Sequence, residues 1–323
     1  MPRKIVCREL GPPGRLRLET FEQIALGPGQ VRVAIRAAGI NFPDVLMAAG
    51  EYQLKPELPF TPGMEAAGDV VEVNGVPGVA VGERVIVKFR HGGYADEAVV
   101  VPSQLAPLPS TFDYAEGATL LAGHGTAHHG LVDRGKLQRG EAMLVHGAGG
   151  GVGLAAVEIG KLLGATVIAA ASTEEKLAVA QARGADHLVL YGREPFRDAV
   201  KRITGGRGVD VVYDPVGGPV FEESMRCIAW GARLLVIGFT GGIGLARTNL
   251  LLIKGASVLG VRAGEAVRKN PALGEARIRK LMEWAEQGKI RPNVSHRLPL
   301  EDYAKAMQLL IDRKAIGRVA LMM

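Results

Sequence analysis

His146-Gly-Ala-Gly-Gly-Gly-Val-Gly153 is the stretch that decides the fold. Before it, Met143–His146 reads as a short apolar strand, and after it the chain reads as a helix to Leu163. The literal pattern G-x-G-x-x-G is not met: the spacing is Ala148-x-Gly150-x-x-Gly153, with further glycines at 147, 149 and 151. The physics is unchanged. Glycines permit a tight turn, let the backbone approach a pyrophosphate, and bring helix against strand. The helix N-terminus then offers unpaired N–H groups to phosphate, a task expected of Gly150, Gly151 and Val152. A flexible loop has the same composition, so the flanking elements carry the argument.

Toward the carboxyl end, apolar strands alternate with helices. The strands are Thr166–Ala170, His187–Leu190, Val209–Asp214 and Arg233–Ile237; the helices are Ser172 to Arg183, near 194–204 and near 218–229. Such βαβ repetition requires a parallel, doubly wound sheet with helices on both faces. After Ser257–Val261, Asn270-Pro271 opens a helix to Gln287 by N-cap and N1 logic, followed by a helix at 302–312 and a last strand, Gly317–Leu321. Toward the amino end, the first 110 residues are β-rich, with short runs at Val31–Arg36, Asp69–Val73, Arg84–Lys88 and Tyr94–Val101. Asp113-Tyr-Ala-Glu116 offers a capping box for a helix to about Asp133.

The second strand's end bears on which dinucleotide fits. A site for an unphosphorylated ribose wants a carboxylate about twenty positions beyond the loop. Ser172 stands there instead, and Lys176 lies one turn further on, so a 2′-phosphate is tolerated and NADP(H) is the expected cofactor. Ser172 also reads as a helix cap with Glu175, and Lys176 as a solvated face residue; both readings are compatible with the first.

Composition excludes several classes. Glycine contributes 44 of 323 residues, with 47% apolar and 22% charged residues, so the chain is neither disordered nor low-complexity, and the glycine lacks collagen's three-residue period. The net charge of +6 is local: residues 1–261 balance 26 basic against 26 acidic side chains, and 262–323 carry 13 against 7. That is no general nucleic-acid footprint. Two cysteines, Cys7 and Cys227, make no disulfide framework. No secretory signal or membrane span is visible, and a soluble cytoplasmic protein is expected.

Several strings together carry a family likeness. Val145–Ala156, Gly184-Ala-Asp-His187, Gly205-Gly-Arg-Gly-Val-Asp-Val-Val212 and Asp214-Pro-Val-Gly-Gly218 resemble the quinone oxidoreductase (zeta-crystallin-like) branch of the medium-chain dehydrogenase/reductases. So do Ala38–Asp44, Gly50-Glu-Tyr52, Leu58–Gly68, Gly92-Gly-Tyr-Ala95 and Ile316-Gly-Arg-Val319. The likeness implies a Rossmann doubly wound parallel sheet (121–261) inserted into a GroES-like β-rich catalytic domain built from 1–120 and 262–323, with the cofactor in the cleft. Zinc-dependent relatives carry a His where this chain has Met64, a Cys near Asn41, and a four-cysteine lobe. Met and Asn are poor zinc ligands and the cysteines are missing, so a metal-free enzyme is expected.

By the same likeness Lys176, Tyr191 and Arg318 surround the adenosine 2′-phosphate. Asn41, Thr126, Gly238-Phe239-Thr240 and Val261 approach the nicotinamide half, and Tyr52 and Asn41 face the substrate. Many quinone reductases have a second tyrosine where this chain has Leu46, which makes the pocket less polar. Arg262 stands near the expected pocket, to meet a carbonyl or anionic oxygen or simply to form a surface salt bridge. His124-x-x-x-His128-His129 has a metal-like spacing but no accompanying carboxylate or cysteine, and is expected to pack or face solvent. No G-x-S-x-G string is present, which argues against a hydrolase.

The expected activity is hydride transfer from NADPH to a quinone or an α,β-unsaturated carbonyl, with Tyr52 and Asn41 polarising the acceptor oxygen. The alternatives are an enoyl-CoA or acryloyl-CoA reductase, suggested by the basic carboxyl-terminal segment, and a zeta-crystallin-like RNA-binding or structural protein. A homodimer is expected by likeness alone.

Overall fold

The computed structural model describes all 323 residues. They form two compact units, Met1–Ala122 with Arg291–Met323, and Gly123–Ile290.

The first unit opens with β1 (Arg3–Val6) and β2 (Arg17–Thr20), an antiparallel pair. Then come β3 (Gln30–Ile40), α1 (Phe42–Ala49), β4 (Glu65–Asn74), β5 (Arg84–Lys88), β6 (Glu97–Val100) and β7 (Leu105–Pro107). Helix α2 (Tyr114–Gly117) follows, and α3 (Leu120–His128) carries the chain into the second unit. The expected single helix from 113 to 133 is therefore interrupted. Thr119 sits at the break, its hydroxyl donating to the carbonyls of Ala115 and Glu116 and so competing with the backbone ladder. A π-helical turn, His129–Arg134, ends the run.

The second unit alternates strand and helix. Its first half holds β8 (Ala142–Val145), α4 (Gly151–Leu162), β9 (Thr166–Ala171), α5 (Glu174–Ala182), β10 (His187–Leu190) and α6 (Phe196–Ile203). The second half holds β11 (Val209–Asp214), α7 (Gly218–Ser224), β12 (Ile228–Val236), α8 (Thr248–Lys254), β13 (Ser257–Gly260), α9 (Ala263–Lys269) and α10 (Pro271–Glu286). The six strands are all parallel, in the order β10-β9-β8-β11-β12-β13. Central strands buried on both faces read as unbroken apolar runs, which is why Ala142–Val145 is legible in the sequence and wholly buried in the fold. The chain leaves β8 toward β9 on one side and returns to β11 on the other. The end of β8 is thus the switch point where such sheets bind ligands.

Returning to the first unit, β14 (Val294–Pro299), α11 (Tyr303–Ile311) and β15 (Arg318–Met322) complete a seven-stranded sheet. Its order is β14-β15-β3-β4-β5-β7, with β6 paired to β3. The return begins at Arg291, whereas the sequence suggested 262. Residues 262–290 stay with the second unit because α10 buries Leu281, Trp284 and Ala285, and because Arg277 enters that unit's interior. There Arg277 Nη2 meets Asp133 Oδ2 at 3.1 Å and His129 Nδ1 at 3.0 Å. No helix is long and apolar enough to cross a membrane.

Candidate active site

In the second unit the glycine loop leaves β8 and closes on itself. Ala148 N donates to Ala170 O at 3.0 Å and Gly150 N to Gly147 O at 2.9 Å, while the first bond into α4 runs from Leu154 N to Gly150 O. The N–H groups of Gly151, Val152 and Gly153 precede that bond, at the positive end of the helix dipole. Two glycines are obligatory by contact. A Cβ on Gly153 would lie 2.3 Å from the Gly147 carbonyl oxygen, and one on Gly149 would lie 2.5 Å from Lys176 Cβ. The second approach sets the amino end of α5 directly against the loop. Lys176 Nζ reaches Ser172 Oγ at 3.4 Å, so an exposed hydroxyl and an ammonium stand together beyond the end of β9. The helix cap is Thr173, whose Oγ1 accepts from Lys176 N at 3.2 Å; Ser172 is not the cap and Glu175 closes no box with it.

The loops after β11 and β12 brace one another. The Asp214 carboxylate, its pKa raised by burial, accepts from Val216 N at 2.7 Å and Gly217 N at 2.9 Å. Gly238 N donates to Asp214 O, and Thr240 Oγ1 to Pro215 O at 3.2 Å. Phe239 is half exposed on this rim, and Val261 N is tied to Val236 O. Thr126 is half-buried on α3. Arg262 is exposed at the amino end of α9, 3.9 Å from Glu265.

Tyr191 departs from expectation. Its hydroxyl is turned inward, 2.6 Å from His146 Nδ1, and does not reach outward for a phosphate. The three histidines of 124–129 also separate. His124 pairs with Glu158 at 2.8 Å, His129 with Asp133 at 2.8 Å, and the His128 ring lies 5.8 Å from that of Trp284. No group of three or more His, Cys, Asp or Glu side chains is placed to hold a metal ion.

In the first unit a buried polar cluster gathers at the start of α1. Arg318 Nη2 donates to Asn41 Oδ1 at 2.8 Å and pairs with the Glu65 carboxylate, and all three residues are buried. Asn41 Nδ2 faces Glu65 Oε1 at 3.2 Å and Gly39 O at 3.5 Å. Glu65 Oε2 accepts from Ala122 N at 2.9 Å. Here Arg318 Nη2, expected at a cofactor phosphate, is engaged by a buried carboxylate, and the Asn41 amide, expected at the substrate, faces protein acceptors.

Beside this cluster Asp44 is wholly buried. It accepts from Asn41 N and Tyr94 Oη, each at 2.9 Å, and from Gly63 N at 3.2 Å. Burial pushes its pKa up to about 7 despite those three donors. Tyr52 is half-buried against the apolar core that includes Ile40, Val45 and Phe60. Glu65, Asp44 and Tyr94 went unread in the sequence. Asp44 carried a signal, because an Asn, a Pro and an Asp at 41, 43 and 44 form a helix-start pattern.

Comparison with known proteins agrees with this architecture. Residues 27–110 match the alcohol dehydrogenase GroES-like domain, and residues 151–287 match the domain described as zinc-binding dehydrogenase. A quinone oxidoreductase-like protein 2 homolog from Nematostella vectensis is 39% identical over 99% of this chain and 88% of its own length. A crystal structure of a probable oxidoreductase from Mycobacterium abscessus superposes with a TM-score of 0.91 at 37% identity, covering 100% of this chain and 99% of that one. Escherichia coli quinone oxidoreductase complexed with NADPH gives a TM-score of 0.90 at 28% identity, covering 99% of this chain and 100% of that one. This chain is an oxidoreductase and belongs to the zinc-free quinone oxidoreductase branch of the medium-chain dehydrogenase/reductase superfamily.

Proposed function

We propose that the protein is an NADPH-dependent reductase that delivers hydride to a quinone or to the β-carbon of an α,β-unsaturated carbonyl, without a metal. The observation that carries this reading is the packing of the Lys176 stem against Gly149, with its ammonium at the Ser172 hydroxyl, which brings the amino end of α5 against the loop that precedes α4. This arrangement suits a pyrophosphate at the helix end and a phosphorylated ribose at the end of β9. The bound nicotinamide supplies the hydride.

The chain's own work is to hold and to orient. Gly151, Val152 and Gly153 donate to the pyrophosphate. Lys176 and Ser172 meet the 2′-phosphate, and the 238–240 loop with Thr126 and Val261 borders the nicotinamide half. Tyr52 offers its hydroxyl to the acceptor oxygen as charge develops there, and Arg262 is a further donor toward an anionic acceptor. Asn41 holds Arg318 and Glu65 in place and is not the donor.

A homodimer is proposed from an apolar face on the second unit. Trp230, Leu252 and Ile253 are 77%, 82% and 63% exposed, beside the edge strand β13. A cytoplasmic setting fits two buried, unpaired cysteines.

The test is NADPH oxidation against a panel of quinones, alkenals and short enoyl-CoAs, with NADH as control. Turnover of quinones or alkenals supports the reading, exclusive use of enoyl-CoA replaces it with the acyl-CoA alternative, and no turnover of any acceptor refutes it.

A further inference from the structure

His146 is the residue that opens the glycine loop, and it is wholly buried. Its Nδ1 lies 2.6 Å from Tyr191 Oη and its Nε2 lies 2.7 Å from Ser224 Oγ. A hydroxyl has one hydrogen to give, and Ser224 gives it to Val220 O at 2.7 Å. Ser224 Oγ must therefore accept from His146, which puts the ring hydrogen on Nε2. Nδ1 is then an acceptor, and Tyr191 must donate to it.

Every hydrogen in this chain has one direction: Tyr191 to His146, His146 to Ser224, Ser224 to Val220. No link can be reversed alone without leaving two donors facing each other. The Phe196 ring closes the side, with its centroid 4.9 Å from His146 and 6.1 Å from Tyr191. The links join the ends of β8 and β10 to α7 and hold His146, the residue from which the loop departs.

We propose that Tyr191, His146 and Ser224 form a one-way hydrogen-bond relay that fixes His146 and so presets the glycine loop it opens for a dinucleotide pyrophosphate. Tyr191 is then a positioning residue. Its hydroxyl hydrogen is committed to His146, so it does not donate to the ribose phosphate. No ionisable group other than Tyr191 contacts the His146 ring, and burial keeps the imidazole neutral, its pKa pushed down to about 3. The relay therefore holds across ordinary pH.

The inference rests on the nucleotide-binding reading, and its test separates the two. Nitrogen-15 NMR of the free protein reports the His146 tautomer, and amide exchange reports Gly147; neither needs cofactor. The expected result is a protonated Nε2 and a bare Nδ1 that do not titrate between pH 5 and 9. Tyr191→Phe should accelerate Gly147 exchange and weaken NADPH binding roughly three- to tenfold, as one lost hydrogen bond would, with kcat little changed. A hydrogen on Nδ1, or Gly147 exchange and NADPH affinity both unmoved in Tyr191→Phe, overturns the relay. Should that variant fail to fold, the wild-type tautomer decides alone. Should the wild-type protein bind no NADPH, the proposed function falls, and the tautomer and Gly147 exchange still decide whether the relay exists.

Discussion

Arg318, Glu65 and Asn41 show how far a side chain's role depends on partners distant in sequence. Glu65 and Arg318 are 253 positions apart, and nothing local announces that they meet. Family likeness supplied Arg318 with a phosphate, but the fold supplies it with a buried carboxylate. Removing one member of a buried pair strands the other charge. Arg318→Met should therefore destabilise the protein by roughly 3–5 kcal/mol, read as a shift in urea midpoint, and Glu65→Gln should follow in the same direction.

Asp44 adds a pH dependence. Folded, it holds a proton up to about pH 7, whereas unfolded it loses that proton near its ordinary value of 3.8. The folded state therefore binds the extra proton between those limits, and stability falls as pH rises from about 4 to 7. His146 works in the opposite sense. It is neutral when folded down to about pH 3 and protonates near 6.5 when unfolded, so its contribution is lost as pH falls below 6.5. Asp44→Asn should remove its share of this pH dependence and leave stability rising between pH 5 and 7 as His146 alone dictates, measured by urea midpoints at the two values. An unchanged difference would contradict the assignment.

At the scale of elements, legibility followed burial. The β8 to β12 alternation was plain because parallel strands covered on both faces must be apolar throughout, and because glycine punctuates each exit. Three short helices were not legible: α1, α8 and α9. Helix α1 follows a strand without a break and starts on Asn41 in a polar cluster, while α8 keeps Leu252 and Ile253 exposed and so shows no inward stripe. The split of the 113–133 run turned on one hydroxyl, that of Thr119. The site divided in the same way. Gly150–Gly153 stand at the start of α4 and Lys176 in the first turn of α5, positions that strand and helix alternation makes legible. Side-chain direction, such as the inward turn of Tyr191, was not legible, because sequence spacing does not say which way a ring turns. Gly153→Ala belongs to this scale. Its Cβ would drive into the Gly147 carbonyl, so loop and helix must separate, and dinucleotide affinity should drop at least tenfold in a fluorescence titration while the other elements keep their melting behaviour.

For the molecule as a whole, the net charge of +6 resolves into pairs. Counted by unit, Met1–Ala122 with Arg291–Met323 carry 17 basic against 17 acidic side chains and Gly123–Ile290 carry 22 against 16, so the excess lies in the second unit. Arg277, Arg291, Arg297 and Arg318 answer Asp133, Glu116, Asp113 and Glu65, all earlier in the chain. Residues 291–323 thereby bring the first unit to neutrality. With these arginines paired, retention on RNA should be weak and lost at modest salt. The proposed dimer rests on the exposed face around Trp230: Leu252→Asp with Ile253→Asp should shift the sedimentation coefficient from dimer to monomer. A wild-type protein that sediments as a monomer would contradict the dimer.

The central claim, a reductase that reads the 2′-phosphate through Lys176, is tested most directly by kcat/KM for NADPH and NADH with a quinone acceptor, in the wild-type protein and in Lys176→Ala. The account predicts a preference for NADPH of tenfold or more, lost in the variant mainly through a raised KM for NADPH, with NADH kinetics unchanged. Equal use of the two cofactors by the wild-type protein, or a preference for NADPH that survives removal of Lys176, would contradict it.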